Sequence, residues 1–250
     1  MSVQHAGVVN VREPFGSFLW KFTKTLATGT LPGLIAGFFA FGLGSRIAMR
    51  VMAVTSGPGV QGARTEAEEI VGKITLDGTM FLILAGTFIG GVAGLIYIAI
   101  KPWLPEQRGL RQLTFSLVML AIVGRMLVDS DNIDFEILSP AILAVAMFAA
   151  LPLLYGYLFV SLHDRLAPFV MRERSWWTAA ALLIPSLLPL LIGGPFSLVL
   201  VPMALLVGWI ASGWSPIGEN GTVMQVGRGL LVAGTVVGLA FFVLSGATIL

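Results

Sequence analysis

Long apolar runs alternate with short polar ones along the whole chain. Seven runs are candidates for membrane spans: 31–54, 79–100, 113–128, 138–162, 176–192, 196–212 and 226–250. Crossing the hydrocarbon core takes about 20 mostly apolar residues in a helix. Only helices and closed barrels satisfy their backbone groups inside lipid. The pattern therefore predicts an all-α fold, a polytopic transmembrane helix bundle of about seven spans in one domain over residues 1–250. The first run carries Arg46 and Arg50 near its end, and the third carries Arg125 near its end. The second has no charge, and the fourth is interrupted by Pro140 and Pro152. The fifth and sixth are joined only by Gly193, Gly194 and Pro195. That junction reads as a tight helical hairpin, with a re-entrant pair as the alternative.

The first 30 residues form a cytoplasmic or interfacial segment. They are not read as a cleaved signal, because the apolar run comes late and no small-residue cleavage site follows it. The aromatic and basic mixture over 15–22 is either a short interfacial helix or an aromatic anchor opening the first span.

Basic residues set the orientation. With the N-terminus inside, the inner segments hold ten Lys and Arg and the outer side holds five. Carboxylates run the other way, five inside and eight outside. The expected orientation is N-in and, with seven spans, C-out, in the plasma (inner) membrane. Trp20, Trp103, Trp176, Trp177 and Trp214 then fall near the inner interface, as an aromatic belt would.

Composition agrees and narrows the chemistry. Charged residues are 11% of the 250, against about a quarter in a soluble domain. Hydrophobic residues are 56% and the mean hydropathy is +0.91. This excludes a soluble globular enzyme, a disordered chain and a nucleic-acid binder, so no nucleic-acid partner is expected. No cysteine is present, which removes disulfides, thiolate metal sites and cysteine nucleophiles. The histidines, His5 and His163, both fall outside the middle of the predicted spans. Bis-histidine haem, a Ser–His protease and a HExxH zinc site therefore fail. None of the four lysines lies in the seventh run, so a retinal Schiff base is excluded. No carboxylate falls mid-span, against a proton relay. No cofactor, metal or catalytic residue is implied, and an enzyme is disfavoured.

Small residues recur four apart: Ala36, Ala40 and Gly44 on the first span, Gly86, Gly90 and Gly94 on the second, Gly234 and Gly238 on the seventh. Such stripes let helix backbones approach closely. They serve contacts within one chain or a homodimer face. The first two spans also resemble the third and fourth in layout. Gly44-Ser45-Arg46 answers Gly124-Arg125, an acidic loop follows each, and each uncharged return ends in a basic, proline-containing segment. This is either a parallel two-helix repeat or coincidence.

The polar groups needing explanation are Arg46, Arg50 and Arg125. Arg46 and Arg50 share a helix face. Measured from Pro32, Arg46 lies roughly 20 Å along its helix, within the outer leaflet. Intramembrane arginines are costly and face partners or the bundle interior. The outer loops supply candidates in Glu68, Glu69, Asp129, Asp131 and Asp134. These eight residues form either an outward anion or headgroup site or an internal ion-pair network. Residues 129–136 resemble a cation loop, but Ile133 stands at a ligand position and the EF-hand glycine is missing. Thr65 to Glu68 forms a capping box that predicts a short outer helix near 66–73.

Several of these stretches resemble a family of bacterial multi-spanning membrane proteins with no assigned activity. They are 44–50, Thr65 to Ala67, 74–79, 101–105, Gly124-Arg125 and 129–135. The resemblance covers about residues 30–170 and implies layout without mechanism. Taken together, the sequence points first to a structural or accessory membrane component. Its expected partners are the lipid bilayer and either other membrane subunits or a second copy. The alternatives are a transporter or headgroup-binding protein using the arginine cluster, and an enzyme acting on a lipid phosphate.

Overall fold

A computed structural model describes residues 15–60, 62, 75–128, 135, 139–172 and 221–249. All the regular structure among them is helical. Helix α1 (Phe15–Gly37) passes into a π-helical segment (Phe38–Leu43) and on into α2 (Gly44–Thr55). Helix α3 (Leu76–Ile100) ends in a 3-10 turn (Lys101–Trp103). Helix α4 (Arg108–Met119) continues through a second π segment (Leu120–Gly124) into the short α5 (Arg125–Leu127). Helices α6 (Ala141–Arg172) and α7 (Gly221–Ile249) complete the described structure.

Among the described residues, four stretches are long and apolar enough to cross a membrane: Trp20–Thr55, Leu76–Trp103, Ala141–Arg172 and Gly221–Ile249. They answer to the first, second, fourth and seventh predicted runs. The third run is helical from Arg108 to Leu127 and is not one of these four. The fifth and sixth runs, the capping-box helix and all of the loop 129–136 except Phe135 lie outside the described residues.

Two boundaries depart from the hydropathy reading. The first helix starts at Phe15, so residues 15–22 belong to the helix that carries the first apolar run rather than to a separate interfacial helix. Lys24 tolerates burial there because its ammonium reaches the Met171 carbonyl at 2.9 Å and lies 4.9 Å from the Trp20 ring. Helix α6, which carries the fourth run, continues unbroken through Pro152 and Pro168 to Arg172. Proline removes one N–H and crowds the carbonyl four residues back, yet neither effect ends this helix.

Pro32 shows how the bundle absorbs such a defect. The Thr28 carbonyl loses its usual intrahelical donor because residue 32 has no N–H. His163 of α6 supplies the replacement, with Nδ1 2.8 Å from the Thr28 oxygen. A carbonyl only accepts, so Nδ1 carries the hydrogen and Nε2 is left as the acceptor.

Close glycine contacts hold α1 against α3. A Cβ at Gly90 would fall against the backbone of Gly33 and Gly37, and one at Gly94 against Gly29. The predicted stripe on α3 is thus the contact face. Its partner on the first helix is Gly29, Gly33 and Gly37, not Ala36, Ala40 and Gly44. On α7, Gly238 meets Ala121 whereas Gly234 faces open space. Helix α6 closes the bundle: Gly156 sits on the backbone of Ser116, and the Tyr155 hydroxyl donates to the Gly90 carbonyl at 2.7 Å. Tyr97, Phe115, Tyr155 and Phe159 fill the centre, with Tyr97 edge-on to Phe115 at 4.9 Å. Helix α7 docks on the outside through Gly227 against Trp103 and Phe242 against Gly124. It leaves Leu230, Val236 and Leu244 exposed.

Candidate anion site and the polar clusters at the bundle ends

Arg46 stands on the first turn of α2, just past the first π segment. In a π turn the bond spans five residues, as the Gly44 N–H to Phe39 carbonyl bond does here. One extra residue rotates the rest of the helix by about 100° relative to an uninterrupted α-helix. The face carrying Gly29, Gly33 and Gly37 therefore does not continue in register into α2.

The Arg46 side chain is half-buried, and its Nε and Nη2 are shielded from solvent with no hydrogen-bond acceptor. Arginine keeps its charge in any such setting. Two shielded N–H-bearing nitrogens on one guanidinium face are the geometry that a phosphate or carboxylate accepts from. Arg50 is exposed one turn further on. Arg125 occupies the matching place directly after the second π segment, as the first residue of α5. Glu68, Glu69, Asp129, Asp131 and Asp134, the carboxylates expected beside these arginines, lie outside the described residues. At this end, Ser56 and Ser139 clasp the end of α2 to the start of α6. The Ser56 hydroxyl donates to the Ser139 carbonyl at 3.0 Å and accepts from its N–H at 2.9 Å.

The opposite end holds a cluster that hydropathy gave no reason to single out. His163 is 2% exposed, and its ring lies 4.8 Å from that of Tyr97. Its Nε2 faces the Lys101 ammonium at 3.2 Å. The next residue, Asp164, receives Arg111 Nη2 on both oxygens at 2.9 and 2.8 Å, with Arg108 Nε at 3.7 Å. Arg111 also donates to the Glu106 carbonyl, and Gln112 donates to the Ser161 hydroxyl at 2.8 Å. The only sequence signal for this cluster was Pro32, whose missing N–H calls for a donor from elsewhere. Nothing in the sequence said which donor.

Among the described residues, no group of three or more His, Asp or Glu could hold a metal ion. The chemistry on view is therefore cation presentation at one end and a mixed ion-pair cluster at the other. Comparison of the chain with protein-family profiles, with curated proteins and with solved structures returns no match.

Proposed function

We propose that this chain is a multi-pass plasma-membrane protein, oriented N-in, that binds an anionic group on its outer side through Arg46. The group is the phosphate or carboxylate of a headgroup or small solute, and Arg50 and Arg125 flank the site. The observation carrying this reading is the shielded Nε and Nη2 of Arg46, which have no acceptor. An internal ion pair, the simpler account of that arginine, would supply one. Arg46 lies about 39 Å along the helix from Trp20 at 1.5 Å per residue. With Trp20 at the inner interface, that distance carries Arg46 past the ~30 Å hydrocarbon core to headgroup level. The two arginines that follow π segments also support a parallel repeat of the first two helices in the next pair.

Glycerol phosphate, a headgroup mimic, tests the reading. Bound ligand should raise the unfolding temperature of the purified protein in neutral detergent by a few degrees at concentrations well above Kd. Arg46→Gln should fold normally and lose that rise. A full rise in Arg46→Gln would remove Arg46 from the site.

Orientation has a separate check, made simple by the absence of native cysteine. A single cysteine replacing Ser56 should react with a membrane-impermeant maleimide added outside intact cells. One replacing Glu106 should react only after lysis. The reverse labelling would overturn N-in.

A second reading, an accessory subunit, is favoured by α7, whose apolar side chains, Leu230, Val236 and Leu244 among them, are largely exposed. Co-migration of the chain with other membrane subunits on a native gel, together with an unchanged Arg46→Gln, would make it the better account.

A further inference from the structure

The His163 end is rich in donors and poor in acceptors. The Tyr97 hydroxyl is fully buried without a hydrogen-bond partner. Arg111 Nε is shielded and unbonded, although Nη2 of the same side chain is held by Asp164. Lys101 stands exposed at the rim, four residues and one helical turn after Tyr97. Its contact is the Nε2 of a histidine whose other nitrogen already bonds the Thr28 carbonyl. A neutral imidazole positions an ammonium without cancelling its charge, and two of the three ammonium hydrogens stay free. Arg108 and Arg111, by contrast, share the carboxylate of Asp164. The surrounding surface adds Arg165 and Arg172, both exposed. Trp20 and Trp103 flank this end, as side chains do at a membrane interface.

We infer that the Lys101–His163 pair, with Tyr97 and Arg111 behind it, seats the phosphodiester of an anionic lipid of the adjoining leaflet. The charge complements the cations, the phosphate oxygens accept from the exposed Lys101 ammonium, and the acyl chains lie against the apolar helix flanks. Basic pockets between spanning helices recognise anionic headgroups in this way. The site is independent of the one at Arg46. The two are separated by the length of the first helix, about 33 Å from Lys24 to Arg46 at 1.5 Å per residue.

The test is native mass spectrometry of the full chain from neutral detergent, with phosphatidylglycerol and phosphatidylcholine supplied in equal amounts. One phosphatidylglycerol should be retained in preference to phosphatidylcholine. Lys101→Gln should lower that retention about fivefold. Lys101→Arg should keep most of it, which separates lost charge from lost fold. Arg172→Gln removes an exposed charge at the same end and should leave retention unchanged. Equal retention of the two lipids would overturn the inference. So would undiminished retention in Lys101→Gln, or equal losses in Lys101→Gln and Arg172→Gln, which mean diffuse attraction. Loss in Arg46→Gln with full retention in Lys101→Gln would move the lipid to the outer site, overturning the inference and leaving the proposed function standing. Displacement of the lipid by millimolar inorganic phosphate would assign the site to the free ion and overturn the lipid.

Discussion

Gly90→Val should leave little folded protein. A Cβ at residue 90 meets the Gly33 carbonyl oxygen and the Gly37 Cα and N, the last two at 2.5 and 2.8 Å. All three are backbone atoms, so no flexible side chain can swing aside and the helices themselves must part. Parting them also opens the contacts of Gly94 with Gly29 and of Gly86 with Phe41 and Gly42. It pulls the Gly90 carbonyl from the buried Tyr155 hydroxyl as well. Overpacking a core costs typically 1 to 3 kcal/mol, and roughly the upper end is expected already for Gly90→Ala. The branched valine adds to that. Within a bilayer, close packing does the work that hydrophobic burial does in water, so the loss is not recovered elsewhere. The check is the monodisperse fraction in mild detergent, followed by unfolding in increasing denaturing detergent. Gly234→Val, whose Cβ points into open space, should behave as wild type. Equal stability of the two variants would mean that α1 and α3 do not pack as described.

The second large effect is expected at His163, where the sign of a double substitution is more telling than the size of a single one. His163→Phe keeps a ring against Tyr97 and Phe159 and removes both nitrogens. The Thr28 carbonyl, freed by Pro32, then has no donor inside the bundle, and Lys101 loses its acceptor. A buried acceptor left unpaired costs about 1 to 3 kcal/mol. Pro32→Ala restores a backbone N–H at the position where the helix bond to Thr28 is made. Pro32→Ala should therefore recover much of the lost stability in the His163→Phe background and do little alone. Such non-additivity is the signature of two residues serving one bond. Denaturing-detergent unfolding of the four proteins measures it. Additive losses would show that His163 acts through its ring packing and not through Thr28.

The helical class and the spanning-length apolar helices were legible because they rest on local hydropathy. A run of apolar residues reports its own transfer energy whatever lies opposite it, and four of the predicted runs emerge as spanning-length helices. The small residues of α3 were legible for the same reason, since a stripe four apart is visible within one helix. Its partner was not. The sequence also offered Ala36, Ala40 and Gly44, and only the fit of two surfaces selects Gly29, Gly33 and Gly37.

The polar sites divide the same way. Arg46 stood out by type and place, because an arginine near the end of an apolar run needs an explanation wherever it occurs. Whether it has an acceptor depends on side chains far off in the chain, and only the packed bundle could decide. His163 lies outside the middle of the predicted spans, where haem or protease chemistry would need it, so its residue type alone points to no role. Its role depends on Pro32, 131 positions earlier in the chain. By itself the sequence determined how much of the chain is apolar, in what lengths, and with which charges at the ends. The tertiary structure decided which faces meet, which prolines are forgiven and which donors are left without acceptors. Those outcomes arise from pair contacts between helices, and a hydrogen bond or a backbone approach exists only once both partners are in place.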